Sequence, residues 1–551
     1  MTQNTSTSPL QRKLFSTFKI GLLALPAFFL LYLLKLWFWF LYPLPTNALE
    51  YVTGFLMLFW LIGMWKFKFP RPRLGSKWQG CAIAFFLIAI TLATIVTVLH
   101  LTKGRATPLG IWKGWFMAPA VYFFMLISTF RAKADLKKLI DVTIGIMGLT
   151  ASVLLIQFFT GWFSEIMSTY DQRLVWPYLD PLSGQGASGN YPALYLTPFF
   201  CLAWGMLSKA RKGFDKGFYV ICLIAMGLVV YFSKSYGAWL ALTGACAVTS
   251  FFMSTGKKRW IFVPLATALV FGGMYLDQRN SEKFQFAVDT TEEITISSGS
   301  ERINIWKVSW DLILRDPLWG VGPGQFQRAF ERQAPFTLGR EVSRKEINHA
   351  LHPHNTFIMF WVSNGILGLL SYLFFLAVLV FPIPKEWRWI LLAPIFSYLL
   401  HGMIDVTYWK NDLAISFWFF AALIFIAQNL NLVSGKVQKG LQVGRELGFP
   451  TANIKLDITL DKEYGVYAVI LKIEKVKKKG LLYYGPRKTE GLPENIVCEI
   501  TIFDFDEEIY DKNVTFKIKK FIRGPMNFSS KEELQSQIQK DVLVAKHLRL
   551  V

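Results

Sequence analysis

The feature that most constrains this chain is a succession of apolar runs, each near bilayer-spanning length, between about residue 18 and residue 428. A helix needs roughly 20 apolar residues to cross a hydrocarbon core about 30 Å thick. Lipid offers no partner to backbone N–H and C=O groups, so each run must satisfy its own as a helix. About twelve runs can be drawn, near 18–42, 48–66, 80–101, 109–130, 139–161, 191–207, 217–233, 236–253, 259–276, 356–382, 388–404 and 411–428. With 53% hydrophobic residues and a mean hydropathy of +0.36, a bilayer is the natural solvent for the chain.

A formal net charge of +22 would point to nucleic acid in a soluble protein. Here the excess sits largely in short clusters between apolar runs, where it sets orientation instead, and no nucleic-acid partner is expected. With the N-terminus inside, the inner loops are KFKFPRPRLGSK (66–77), RAKADLKK (131–138), SKARKGFDK (208–216), TGKKR (255–259) and PIPKEWR (382–388). All are basic, and the alternating loops are poor in clustered Lys and Arg. The N-terminal run has no small-residue cleavage site and reads as an uncleaved first span. An even number of spans places both termini in the cytoplasm of a cell-membrane protein. The five cysteines show neither a disulfide framework nor a CxxC metal site.

Two long loops fall on the outer face, 162–190 and 277–355. Long loops in a compact protein commonly carry function. The second holds a helix-like stretch, Glu301 to Leu314, and a Gly/Pro turn from Gly320 to Gly324. From 431 the composition changes. GVYAVILKIEKV and NVTFKIKKFI alternate as strands do, and SSKEELQSQIQKDVLVAKHL is an amphipathic helical pattern. The expected architecture is a polytopic helical membrane domain, 1–430, followed by a small domain, 431–551.

Within 140–428, His354 precedes Gly365 at an H(x10)G spacing, Arg302 precedes Trp306 and DPLWGVGPGQF, SGNYPALYL (188–196) opens a span, and HGMIDVTYWKNDLAISFW (401–418) closes the last pair. This set resembles the O-antigen ligase and polymerase superfamily. The resemblance implies transfer of a glycan from a polyprenyl diphosphate to an acceptor on the outer face. A diphosphate leaving group needs cations, and an acceptor hydroxyl needs a base or orienting partner. Arg302 and His354 suit these roles, with Lys234, Asn355, His401, Asp405 and Lys410 in second rank. Ser233-Lys-Ser-Tyr-Gly-Ala-Trp-Leu240 departs from the family's SRGAxL element, since a lysine is a point charge where arginine offers a fork of donors. His349, His352 and His354 also have a spacing (HxxHxH) that permits a metal, although no cofactor is expected for this domain.

The tail carries GKVQKGLQVGRELGFPTANI (435–454), GVYAV (465–469), CEITIFDFDEEIYDK (498–512) and FSSKEELQSQIQKDVLVAK (528–546). In this order they resemble riboflavin kinases, which implies a small β-barrel with a C-terminal helix. The resemblance assigns Gly440, Gly444, Arg445, Gly448, Pro450, Thr451 and Asn453 to the nucleotide site, Thr451 and Asn453 also to Mg²⁺, and Glu499 to the catalytic carboxylate. Arg523 is a weaker candidate for flavin or phosphate. Glycines let a loop approach phosphates, and Thr and Asn oxygens suit Mg²⁺. The expected reaction is ATP plus riboflavin to FMN, with no adenylyltransferase half to make FAD. The stretch from Tyr483 to Thr489 departs from the family's N-I-G-x-x-P-T-like element. A flavin or nucleotide sensor without turnover, and a membrane part that serves only as an anchor, are the alternatives.

Overall fold

A computed structural model describes residues 8–27, 48–74, 76–161, 174, 190–262, scattered positions in 264–272, 298–380, 383–439, 448–456, 460, 462–473, 476–487, 495–505 and 507–547. These divide into two compact units, Ser8–Ala427 and the stretch from Gln428 onward. The chain is a helical membrane protein with a C-terminal β-barrel.

The described helices of the membrane part are α1 (Pro9–Ala24), α2 (Ala48–Lys66), α3 (Lys77–His100), α4 (Ala106–Thr129), α5 (Lys133–Thr160), α6 (Tyr191–Lys209), α7 (Gly213–Phe232), α8 (Tyr236–Met253), α9 (Ser298–Arg315), α10 (Phe326–Leu338), α11 (Arg344–His349), α12 (Thr356–Val380), α13 (Lys385–Gly402) and α14 (Asn411–Asn429). Seven of them, α3, α4, α5, α7, α8, α12 and α14, are long and apolar enough to cross a membrane. The expected spans at 48–66, 191–207 and 388–404 are helices too (α2, α6 and α13), while those at 18–42 and 259–276 lie largely outside the described residues.

Helix α14 is apolar on every side, and Phe417, Trp418, Phe419 and Phe420 are each at most 2% exposed. A helix hydrophobic all round belongs in the interior, and here the other helices cover it. Its Trp418 packs with Phe86 of α3, Phe123 of α4 and Phe375 of α12. Small residues set the close crossings. A methyl group on Gly148 would lie 2.7 Å from Cys222 Sγ, which brings α5 against α7.

Helix α12 contains a break. Gly365 has φ 66° and ψ −176°, a conformation open in practice only to glycine. The opening admits the backbone of the DPLWG turn. Val321 N–H donates to the Val362 carbonyl at 2.7 Å, and Ile366 N–H donates to the Pro317 carbonyl at 2.9 Å. Gly320 approaches from the other side with φ 70°. The H(x10)G spacing thus has a mechanical meaning. It sets the distance along α12 from His354 to the notch that seats the turn after α9.

The barrel closes six antiparallel strands in the order β1-β2-β5-β4-β3-β6: β1 (Leu432–Gln438), β2 (Thr451–Leu456), β3 (Gly465–Ile473), β4 (Val476–Arg487), β5 (Asn495–Ile502) and β6 (Asn513–Arg523). Alternate residues fill the interior, among them Val437, Ile454, Val469, Leu471, Leu482, Ile500 and Phe516. The terminal helix α15 (Lys531–His547) packs outside, with Ala545 and Val542 against Val466, Ala468, Leu481 and Phe503.

Candidate active sites

In the membrane part, four segments far apart in sequence meet. Trp306 Nε1, one turn after Arg302 on α9, donates to the Pro353 carbonyl at 2.7 Å and pins that helix to the HPHN loop (His352–Asn355). Asn355 caps α12 by accepting from the N–H groups of Phe357 and Ile358, and its amide donates to the Met403 carbonyl at 2.9 Å. Thr356 Oγ1 accepts from Thr407 N–H at 3.0 Å and donates to the Asp405 carbonyl. The N-terminus of α12 is therefore tied to the 403–410 turn. His354 sits at the junction with φ 48°, a left-handed conformation that a side chain adopts only under constraint from its surroundings.

His354 Nδ1 lies 3.5 Å from Asp405 Oδ1, and the His352 ring packs edge-on to the His354 ring at 4.4 Å. Asp405 is buried, accepts from Val406 N–H at 2.8 Å and accepts from the Asn190 amide at 3.3 Å. Burial alone would raise its carboxyl. The nearby His354 imidazole and the charges of His354, His352 and His401 outweigh burial and hold it well below the usual carboxylate range. Burial, then the charges of His354, Lys410 and Arg302, push His352 down to about 3 against the pull of Asp405. The positive charges of Arg302 and Lys410 are thus felt at His352. Buried His401 stands beside Gly237, where a methyl group would come within 3.1 Å of its Nε2. That contact places the start of α8, and the half-buried Lys234 just before it with φ 49°, at the same end. Lys410 is exposed and lies 4.1 Å above the Tyr191 ring.

His349 does not join its two neighbours. It pairs with Glu301 at 3.3 Å. Among the described residues, the group able to hold a metal ion is instead His352, His354 and Asp405, whose ligand atoms lie within 4.8 Å of one another. A metal there would occupy the histidine nitrogens that a base needs. Asn190 and His352 join the site without standing out as transfer residues in the sequence, although Asn190 belongs to the SGNYPALYL motif.

In the barrel, strand register does the assembly. Asn453 on β2 lies opposite Glu499 on β5, Glu499 lies opposite Tyr483 on β4, and Thr451 lies opposite Thr501. Paired residues point to one face, and Ile454, Cys498 and Ile500 take the interior. Thr451, Asn453 and Glu499 therefore share the outer face as neighbouring oxygen donors. Hard oxygens in that number fit Mg²⁺, which keeps several waters. Gly448, with φ 80° and open space where a methyl group would stand, turns the chain into Pro450 and β2. Gly440, Gly444 and Arg445 lie outside the described residues. Arg523 is engaged structurally. Its guanidinium forms a fork with Asp541 of α15, at 2.9 Å from Nε and 2.8 Å from Nη2, with the carboxylate only 4% exposed.

Comparison with known proteins divides the chain in the same place. Residues 221–373 match the family model for O-antigen ligase and residues 429–549 match that for riboflavin kinase. The first stretch contains Lys234, Arg302, His352, His354 and Gly365, while Asp405 and Lys410 lie beyond it. The RNA-binding riboflavin kinase RibR of Bacillus subtilis is 37% identical over 123 residues, 22% of this chain and 53% of its own. The bifunctional riboflavin kinase/FMN adenylyltransferase of Haemophilus influenzae is 37% identical over 116 residues, 21% of this chain and 37% of its own. That of Escherichia coli K12 is 34% identical over 116 residues, 21% and 36% respectively. The chain thus spans about half or less of the length of these relatives. It joins a membrane part that matches the O-antigen ligase model to a C-terminal domain that matches the riboflavin kinase model.

Proposed function

We propose that the C-terminal domain phosphorylates riboflavin with ATP to give FMN, on the cytoplasmic side of the cell membrane. The register that aligns Glu499 with Asn453 is the observation that carries this reading. Glu499 accepts the proton of the ribityl hydroxyl as that oxygen attacks the terminal phosphorus and ADP leaves. Thr451 and Asn453 would hold Mg²⁺, whose charge when bound neutralises the phosphates. The resemblance assigns the glycines of 440–448 to the nucleotide. Phosphoryl transfer asks mainly for positioning and charge neutralisation, which so short a set can supply.

The membrane part, in the same proposal, transfers a glycan from a polyprenyl diphosphate on the outer face. His354, backed by Asp405 3.5 Å away, takes the proton of the acceptor hydroxyl. The acceptor oxygen bonds to the anomeric carbon, and the diphosphate leaves toward Arg302 and Lys410. The low carboxyl of Asp405 keeps it anionic, as a partner to a proton-bearing imidazole requires.

The full chain, purified in detergent and given riboflavin, ATP and Mg²⁺, is expected to form FMN, and Glu499→Gln to lose about 10²–10⁴-fold in rate. Flavin binding without turnover would sink the kinase reading in favour of a sensor. Retained glycan transfer in a folded Arg302→Ala variant would remove the role given to that arginine, and no transfer by the unaltered chain would favour an anchor.

A further inference from the structure

The outer face of the barrel has a feature that neither activity uses. In one row, Leu432 of β1 faces Lys517 of β6, Lys517 faces Ile470 of β3, and Ile470 faces Lys479 of β4. In the next row, Lys472 faces Lys477 across the β3–β4 hairpin, with Thr515 on its other side. The intervening Val469, Leu471, Ile473, Phe516 and Ile518 fill the interior, so Lys472, Lys477, Lys479 and Lys517 are on the outside, with Lys517 half-buried and Lys479 donating to the Lys546 carbonyl at the end of α15 at 3.3 Å. Like charges set directly opposite destabilise a sheet, so the Lys472–Lys477 pair is favoured by anionic surroundings.

Chain connectivity identifies those surroundings. Helix α14, one of the seven apolar enough to span, ends at Asn429, and β1 begins at Leu432. Leu432 lies within roughly 10 Å of the end of the span. Strands are about 4.8 Å apart, so Lys517 is one strand, and Lys479 about 14 Å, from the strand that leaves the bilayer. Headgroup charge is felt over about a Debye length of 8–10 Å, so Lys517, on the strand next to β1, is the lysine that connectivity keeps nearest to it, and the others come within its range when this face of the barrel turns toward the bilayer. Lys517 is half-buried, and that burial, with the charge of Lys519 added to it, lowers its ammonium.

We propose that the face formed by Lys472, Lys477, Lys479 and Lys517 docks the C-terminal domain onto anionic phospholipid headgroups beside the last span. The docking rests on α14 being a span and is independent of kinase turnover.

The test is hydrogen–deuterium exchange on the full chain in nanodiscs of phosphatidylcholine alone or mixed with phosphatidylglycerol. Both leaflets carry the same lipid, so orientation does not enter. Peptides covering 470–480 and 513–523 are expected to exchange more slowly in the anionic discs, and raised salt to abolish the difference. Each neutralised lysine should lower the docked-to-free ratio about fivefold, so the triple variant Lys472→Gln/Lys477→Gln/Lys479→Gln should lose about 10²-fold. Peptides of β2 and β5 report whether that variant is folded, and the salt titration of the unaltered chain stands if it is not. Equal exchange in the two discs overturns the proposal. Protection by added RNA, with none from anionic lipid, overturns it in favour of a nucleic-acid surface.

Discussion

Replacing Gly365 by alanine isolates the contact that organises the membrane site. The new Cβ would lie 1.8 Å from the Leu318 carbonyl oxygen, 2.3 Å from its carbon and 2.7 Å from Trp319 N. All three are backbone atoms and cannot swing aside. The backbone conformation itself costs an alanine about 1–3 kcal/mol. Relief of the clash requires the turn to leave the notch, which breaks the bonds from Val321 N–H to Val362 and from Ile366 N–H to Pro317. A buried hydrogen bond left unmade costs about 1–3 kcal/mol. The sum is about 5 kcal/mol of local stability, and the turn and the end of α9 should detach while the helices stay folded. Hydrogen exchange on the full chain would report this at Val321 and Ile366, where rates should rise by at least about 10³-fold. Glycan transfer should fall with them, because α9 carries Arg302. Gly339→Ala is the control. Gly339 has φ 64°, but a methyl group there would meet nothing within 4 Å, so only the conformational cost applies and neither amide should change. Unchanged exchange at Val321 and Ile366 in Gly365→Ala would refute this account of the H(x10)G spacing.

Other expectations follow from single contacts. Asp541→Asn leaves the Arg523 guanidinium with a neutral partner in a largely buried site, and should cost the barrel about 3 kcal/mol, read as a fall in the melting temperature of the C-terminal unit with the membrane part unchanged. His352, held down to about 3, stays neutral when folded while the unfolded chain takes up a proton below about 6.5. Stability of the HPHN loop should therefore be full above that value and be lost as pH falls toward 3, at up to about 1.4 kcal/mol per pH unit. Local exchange against pH checks it, and His352→Gln should flatten the dependence. The depressed carboxyl of Asp405 acts in the same direction, but only below the ordinary carboxylate range. Arg302→Lys keeps the charge but loses the fork of donors, so it should slow glycan transfer by about tenfold or more without altering the fold, as judged by near-ultraviolet circular dichroism.

The helices and the barrel are legible in the sequence because their signals are local. Spans announce themselves by length and apolarity, and alternation in GVYAVILKI reads directly as β3 with its interior residues Val469, Leu471 and Ile473. The membrane site is legible only in part. His354 and Arg302 stand in recognisable spacings, but the approach of Asp405, 51 positions on, depends on how α12 and α13 pack. Spacing alone groups His349 with His352 and His354, whereas helix α11 carries His349 to Glu301. Gly365 is visible as a motif position, yet its reason lies in a turn some 45 residues earlier. In the barrel, Arg523 reads as a ligand candidate because nothing local reveals that α15 returns to present Asp541. The alignment of Asn453 with Glu499 is likewise a matter of strand order, since β2 pairs with β5 across two intervening strands of sequence.

The central proposal is a kinase on the inner face of a chain whose membrane part transfers glycan outside. Sealed membrane vesicles of both orientations, given external ATP, Mg²⁺ and riboflavin, test it most directly. FMN should form in inside-out vesicles, should appear in right-side-out vesicles only after permeabilisation, and should form in neither with Glu499→Gln. Equal FMN formation by intact vesicles of both orientations would contradict the topology, and none from permeabilised membranes would contradict the kinase.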